Sequence, residues 1–244
     1  MNRGRKLLES KGLISLLCLS FLTSTAFAGP KVKLRFKEVQ PGLKFASSSI
    51  FEVVERPWKG AEVKKGQTTD TLYLRSVSKL GKKGLLVRRK IIGSEKSYAD
   101  SITIMDNRGK SLAEKDEKRF RQSRIHLELP KEPVGKGDEW SYSVPPSSFF
   151  PSATTMTCRV IDLQAKTGEP VATIAAKTRS DVVFEEGVCR GSIRFKSKLF
   201  FDVSRGFVKE SSTKTRYILG YEKPIPERKK LSIVTIKSRV KMLP

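Results

Sequence analysis

Leu129-Pro130-Lys131-Glu132-Pro133-Val134-Gly135-Lys136-Gly137-Asp138-Glu139-Trp140-Ser141-Tyr142-Ser143-Val144 decides how this chain is read. Two prolines and two glycines punctuate the opening of the stretch. Gly137-Asp138 is turn chemistry, because Gly takes positive φ freely and Asp caps its own turn. Behind the turn, Trp140, Tyr142 and Val144 alternate with Glu139, Ser141 and Ser143, the period of a strand with one buried face. A connector followed by a first strand, near the middle of 244 residues, divides the chain into two stretches. Gly42-Leu43-Lys44-Phe45 opens the first stretch with a fainter copy of the same pattern.

Working outward, short alternating segments recur with turn signals between them. Lys31-Val32-Lys33-Leu34-Arg35-Phe36-Lys37 sends apolar residues one way and basic residues the other. A turn at Gln40-Pro41-Gly42 leads to a strand over 45–54, and Pro57 to Gly66 reads as loop. Strands over 71–77 and 85–92 flank the hairpin signal Gly81-Lys82-Lys83-Gly84, and 101–105 ends at Asp106-Asn107-Arg108-Gly109. Ser111-Leu112-Ala113-Glu114 has the form of a capping box, so that segment is either one short helix or a charged loop. In the second stretch, strands over 156–163 and 171–176 surround Lys166-Thr167-Gly168, and a long strand over 191–201 turns at Asp202 to Gly206. Strands over 207–211, 217–221 and 231–242 follow, the last with a bulge expected between Ile233 and Val234, where its phase changes. Three landmarks match between the stretches: Gly42 with Gly137, the hairpins at Gly81 and Gly168, and the turns Asp106–Gly109 and Asp202–Gly206. The expectation is an all-β protein: an antiparallel sandwich, barrel or half-barrel of two related halves, 29–128 and 139–244, joined by a connector over 129–138, with at most one short helix.

The first 28 residues read as an address. Arg3, Arg5, Lys6 and Lys11 precede a short apolar run, Gly12 to Leu22, and Ala26-Phe27-Ala28 supplies the small residues of a cleavage site. That is the pattern of a secretory signal peptide, cut after Ala28, and the run is too short to span a bilayer. Cys18 follows Leu17 where a lipoprotein signal wants a small residue, so simple cleavage is favoured over lipidation. Removing the leader takes four of 49 basic and one of 25 acidic side chains, leaving a net charge of +21. Such a field draws anionic surfaces and polymers. In a periplasmic or secreted protein the partners it suits are an anionic envelope polymer, a lipid surface or an acidic protein. Nucleic acid is disfavoured, since an exported protein rarely meets it. Cys158 and Cys189 are the two cysteines left after cleavage, and export favours a disulfide between them over two unrelated buried thiols. Such a bridge would close a loop of roughly 30 residues, worth about 3–4 kcal/mol on the chain-entropy model.

No catalytic or metal constellation emerges from the residues. His126 is the single histidine, flanked by Ile125 and Leu127 and facing away from them, which suits a surface position. With one histidine and two cysteines the usual zinc sets are out of reach, and the Arg inside Asp202-Val203-Ser204-Arg205-Gly206 argues against calcium. Glu52 with Glu55, and Glu185 with Glu186, point to opposite faces if they lie in strands, so no carboxylate pair stands out for glycoside hydrolysis. No cofactor is called for. Trp58, Trp140 and Tyr142 could line a sugar or lipid face, although strand aromatics are more often core.

The connector, with Gly168 and the turn from Asp202 to Gly206, resembles a group of exported bacterial two-repeat β-proteins of the domain-of-unknown-function type. They share Leu-Pro-x-x-Pro-Val-x-x-Gly-Asp-x-Trp, here Leu129 to Trp140, followed by a Gly-bearing hairpin and an Asp-x-x-x-Gly turn. The resemblance covers the second stretch and part of the first. It implies an envelope β-protein and transfers no catalytic residue. A remoter likeness, on architecture alone, is to curved-sheet lipid carriers of the periplasm. Three alternating runs carry the functional expectation: Lys33, Arg35 and Lys37, then Arg194, Lys196 and Lys198, then Lys237, Arg239 and Lys241. If the runs share a sheet they form one basic face, and the protein is a non-enzymatic binder of an anionic envelope component or acidic partner. The alternatives are a carrier holding a lipid in a groove lined by Phe149, Phe150 and Leu199, and a hydrolase of envelope polysaccharide.

Overall fold

A run of alternating residues becomes a stable strand only when its apolar side finds something to cover it, and here the covering comes from the connector. The computed structural model describes residues 30–82, 84–92, 101–112, 127–146, 150, 152–166, 169–184, 189–224 and 228–244. The leader, His126, Phe149, Gly168, Glu185, Glu186 and the helix expectation beyond Leu112 lie outside these residues. Among the described residues there are ten strands: β1 (Val39–Arg56), β2 (Val63–Leu80), β3 (Gly84–Ile91), β4 (Ser101–Asp106), β5 (Glu139–Val144), β6 (Thr154–Lys166), β7 (Glu169–Phe184), β8 (Cys189–Asp202), β9 (Phe207–Tyr221) and β10 (Leu231–Met242). All pair antiparallel in one sheet of order β4-β3-β2-β1-β10-β9-β8-β7-β6-β5, so two meanders meet where β10 pairs with β1. No helix occurs among the described residues.

The sheet is open but curled. Met105 of one edge strand and Val144 of the other belong to a single core cluster, with Val77, Leu85, Met156, Val160, Ile174, Ile193 and Phe201 from the strands between. Leu34, Phe36, Leu127, Leu129 and Val134, none of them in a sheet strand, fill the middle of that cluster. Two off-sheet segments therefore serve as the plug of a half-barrel, and the inner face is the one that meets them. A smaller inner cluster stacks Phe45 on its cross-strand partner Tyr73, ring centroids 5.4 Å apart, with Phe207 edge-on to Phe45.

Two turns clamp the plug. Asp106 Oδ1 accepts the amide N–H groups of Arg108 and Lys110, and Asp202 Oδ1 accepts that of Arg205. Each turn reaches a glycine at positive φ, Gly109 at 89° and Gly206 at 70°. The Phe36 amide donates to Asn107 O at 2.7 Å and the Lys37 amide to Gly206 O at 3.1 Å. A Cβ on Gly109 would lie 2.2 Å from Leu127 O, and one on Gly206 would lie 2.7 Å from both Arg35 O and Lys37 N. Both turns need glycine because another stretch of backbone occupies the side-chain position. The connector is tied to the same place: Arg108 Nε donates to Leu129 O, its Nη2 meets Glu128 Oε1 at 2.8 Å, and Trp140 Nε1 donates to Glu128 O at 2.7 Å. Asp138 accepts the Gly135 amide through Oδ2, which closes the turn read from the sequence.

Several expectations about individual strands need correction. The Lys31–Lys37 run is not a sheet strand; among the described residues a single bridge, Val32 with Val134, is its one ladder pairing. Its alternation is real, but the apolar side plugs the barrel end. Lys64 to Gly66 lies inside β2, not in a loop, and the Gln40 to Gly42 turn is a bulge within β1, where register shifts between Val39 and Leu43. The two strands expected over 207–221 are one, and no bulge interrupts β10, which pairs without a shift from Leu231 to Lys241. The expected disulfide is also corrected. Cys158 and Cys189 are buried free thiols. Cys158 pairs with Ala176 on β7, and Cys189 pairs with Phe184 on the other side of the same strand. Eight positions on β7 separate those levels, some ~25 Å at the usual rise, far beyond the ~7 Å that a bridge tolerates between Cα atoms. The segment from Thr178 to Phe184 continues the strand and does not fold back.

Two outcomes are expected. Gly109→Ala should destabilise by roughly 2–4 kcal/mol, from positive φ together with a backbone clash. Gly137→Ala, also at positive φ but with nothing within 4 Å, should cost only about 1 kcal/mol, both read from urea unfolding. The second concerns alkali. Burial pushes the Cys158 thiol up to about 12 and the Tyr217 phenol up to about 12, and raises Tyr142 further. A raised acid is neutral in the folded state, so its contribution is intact below the unfolded pKa and is lost between it and the folded value. Urea midpoints should therefore fall from about pH 9 upward, and thiol reagents should reach Cys158 only after unfolding.

Candidate binding face

Residues alternate across a strand, so a register fixes which side chains share a face. On the inner face Ser47, Val240, Ser211 and Leu199 stand in one row, and Ser49, Ser238, Thr213 and Ser197 in the next. The outer face takes the residues between. Lys177 pairs with Lys196, Lys196 with Lys214 and Lys214 with Lys237, giving four lysines on four neighbouring strands. One level away, Arg179 pairs with Arg194 and Arg194 with Arg216. On the other side Lys198 pairs with Ser212 and Ser212 with Arg239, and Lys241 stands opposite Glu210. All these cations are exposed.

Of the nine residues picked out as a basic face, Arg194, Lys196, Lys198, Lys237, Arg239 and Lys241 are together on the outer face of β8 and β10. Lys33, Arg35 and Lys37 are elsewhere, on the plug. Arg35 donates to Pro130 O and Lys131 O of the connector, and Lys37 Nζ donates to Ser204 O at 2.8 Å, so Arg35 ties its segment to the connector and Lys37 ties it to the Asp202–Gly206 turn. Lys214 and Arg216, which bridge the two runs, and Lys177 and Arg179, which extend them, are not among the residues expected from the sequence. The signal was present in Ser212-Thr213-Lys214-Thr215-Arg216, but its inner residues are threonines, and Thr215 is buried although it does not register as apolar.

Carboxylates answer only part of this charge. Glu210 holds Arg239 at 2.8 Å, Glu52 holds Lys237 at 2.9 Å, and Asp181 lies 3.7 Å from Arg179. Beside the face runs an open groove of about 820 Å³, lined by Ser48, Asp70, Leu72, Ile92, Arg239 and Lys241 among others. A second pair of cations faces inward: Arg75 stands opposite Arg89, whose guanidinium lies 4.0 Å from the Tyr73 ring centroid, and burial lowers the pKa of Arg75.

The other candidates resolve as follows. Trp140 and Tyr142 pack against the inner core, whereas Trp58 sits in the turn between β1 and β2 at the opposite end of the sheet, so the three make no common aromatic face. Phe150 is fully buried and Leu199 packs against the same cluster, so the groove proposed for a lipid is occupied by core at this end. Glu52 and Glu55 point to opposite faces, each beside a lysine. Among the described residues no three His, Cys, Asp or Glu side chains gather where a metal could bind, and no helix is long and apolar enough to cross a membrane. No family model and no curated protein matches this sequence.

Like charges placed directly opposite on neighbouring strands repel. Lys196→Glu turns two repulsive cross-strand pairs into attractive ones, and it should raise the thermal midpoint by roughly 1–3 °C at low salt. A scan showing a fall would mean that Lys196 has a packing role.

Proposed function

We propose that this chain is an exported, non-enzymatic envelope protein that holds an anionic envelope polymer, lipid surface or acidic protein on the outer face of β7 to β10. The observation that carries the reading is the registration of Lys177, Lys196, Lys214 and Lys237 beside Arg179, Arg194 and Arg216 on one side of four adjacent strands. Outward lysines often guard sheet edges against pairing with other chains. That explanation does not suit these residues, because the edges are β4 and β5 and the cations crowd onto interior strands. The cationic leader and A-F-A site of residues 1–28 support export, and the net charge of +21 that remains supports an anionic partner. The resemblance in the connector points to the same compartment.

A second reading, a carrier of an apolar ligand, draws on the inner wall beyond the core. There Phe51 is 41% exposed, and Val53, Val234, Ile236 and Tyr217 surround it on the same face. Mass spectrometry of protein purified from the exporting cell would find a stoichiometric lipid on this reading and none on the first.

The variant Arg194→Glu/Lys196→Glu/Lys198→Glu should keep its fold by circular dichroism. It should lose about tenfold or more in affinity for lipopolysaccharide or anionic vesicles at low salt, and the wild-type affinity should fall steeply as salt rises. Salt-independent binding, or reversals without effect, would leave the face as solvated surface.

A further inference from the structure

The outer-face cations are arranged as rows, and rows select for ligand shape. The geometry points to a linear acidic polysaccharide, a polyuronate with one carboxylate per sugar, lying across the strands along the Lys177–Lys196–Lys214–Lys237 and Arg179–Arg194–Arg216 rows. This rests on the reading of the outer face as an anion-binding surface and goes further, to the class of anion and its direction on the sheet.

Four observations carry it. Members of a row are direct cross-strand partners, so they repeat at the strand spacing of about 4.8 Å, and the two rows run side by side ~7 Å apart, two residues along each strand. A linear hexuronate chain carries a carboxylate on every sugar, so a regular series of anions can meet the two regular series of cations. Lys177, Lys196, Lys214, Arg194 and Arg216 have no ion pair among the described residues; only Arg179 and Lys237 at the row ends do. Five unpaired cations in register are a repulsive arrangement that a polyanion would neutralise at once. The arginine row can take carboxylates in bidentate fashion while the lysine row supplies point charges.

Two other anions fit less well. The face is the convex side of a curled sheet, which touches a flat membrane only along a line, while a flexible chain can follow the curve. Single-stranded nucleic acid is held by aromatic platforms between the cations. These rows carry none: their neighbours are Thr157, Thr235 and Ile50, and Phe195 and Tyr217 face inward.

The test titrates the full mature chain at low salt with oligogalacturonates from monomer to octamer, with single-stranded oligonucleotides, and with phosphatidylglycerol/phosphatidylcholine vesicles. Affinity should climb by about tenfold or more from the dimer to the tetramer, which spans the lysine row, and then level off. Lys196→Glu/Lys214→Glu should weaken tetramer binding about tenfold or more, while Arg88→Glu/Lys90→Glu, on the outer face of β3 away from the rows, should stay within about twofold. Length-independent uronate binding, a Lys196→Glu/Lys214→Glu variant that is folded by circular dichroism and binds the tetramer as the wild type does, or tighter binding of vesicles or oligonucleotides than of the octamer would overturn the proposal. If vesicles still bind in a salt-sensitive way that depends on Arg194, Lys196 and Lys198, the polysaccharide claim alone fails. If no anion binds, the reading of the face fails with it.

Discussion

The structure depends on one piece of backbone passing between two turns. Leu34 to Lys37 lies against Gly206 through its backbone and against Gly109 through the Phe36 ring, and together with Leu127 O it leaves neither glycine room for a Cβ. Those turns end β4 and β8, strands six positions apart in the sheet order. An open sheet of ten antiparallel strands would otherwise be a wide twisted ribbon with two bare faces, and nothing in its ladder forces its ends together. Here the shared backbone contacts, the Phe36–Phe201 edge-to-face pair at 5.5 Å and the partly buried Arg108–Glu128 ion pair draw distant strands onto a common plug. The curl follows, and with it an inside and an outside.

The pleat then makes the face proposed for binding. Each residue that packs inward in β8, β9 and β10 is followed by one that must point out, so the core and the cation rows are two readings of the same strands. Burying an inner residue such as Ile193 or Phe195 contributes about 1.5–3 kcal/mol, while a like-charge cross-strand pair costs roughly 0.2–1 kcal/mol. The inner face can therefore hold a repulsive outer face in place. The margin narrows toward the far end of the sheet, where Phe51, Val53, Val234 and Ile236 are only partly covered.

The all-β class, the connector and the turn glycines were legible because Gly, Pro and Asp act locally: Gly42 and Gly137 do take positive φ at the openings of β1 and β5, and both Asp turns form. Strand limits were less legible. β2 runs through Lys64-Lys65-Gly66 because β1 offers it a full ladder there, which composition does not reveal. β9 reads as two strands in the sequence because its threonines interrupt the apolar alternation. The expected disulfide rests on compartment and parity, which contain no register, and register is what separates the sulfurs. In the same way Lys33, Arg35 and Lys37 had the right alternation and the wrong place, since nothing local tells a strand from an extended plug.

Register is also what binds the proposed function to the fold. The shifts in pairing lie at the plugged end, at Val39/Leu43 in β1, Val160/Asp162 against β7 and Phe200/Phe201 against β9. Beyond them β7, β8, β9 and β10 pair without interruption, so alternation stays in phase over the whole length of the cation rows. A slip of one residue in β9 would turn Lys214 and Arg216 inward beside Phe195 and Ile236, and would carry Tyr217 and Thr215 out to solvent. Two unpaired charges set among apolar neighbours cost several kcal/mol each, more than the whole outer repulsion that the slip would relieve. The apolar inner face thus keeps the cations aligned against their own repulsion, and the rows persist because leaving them is worse.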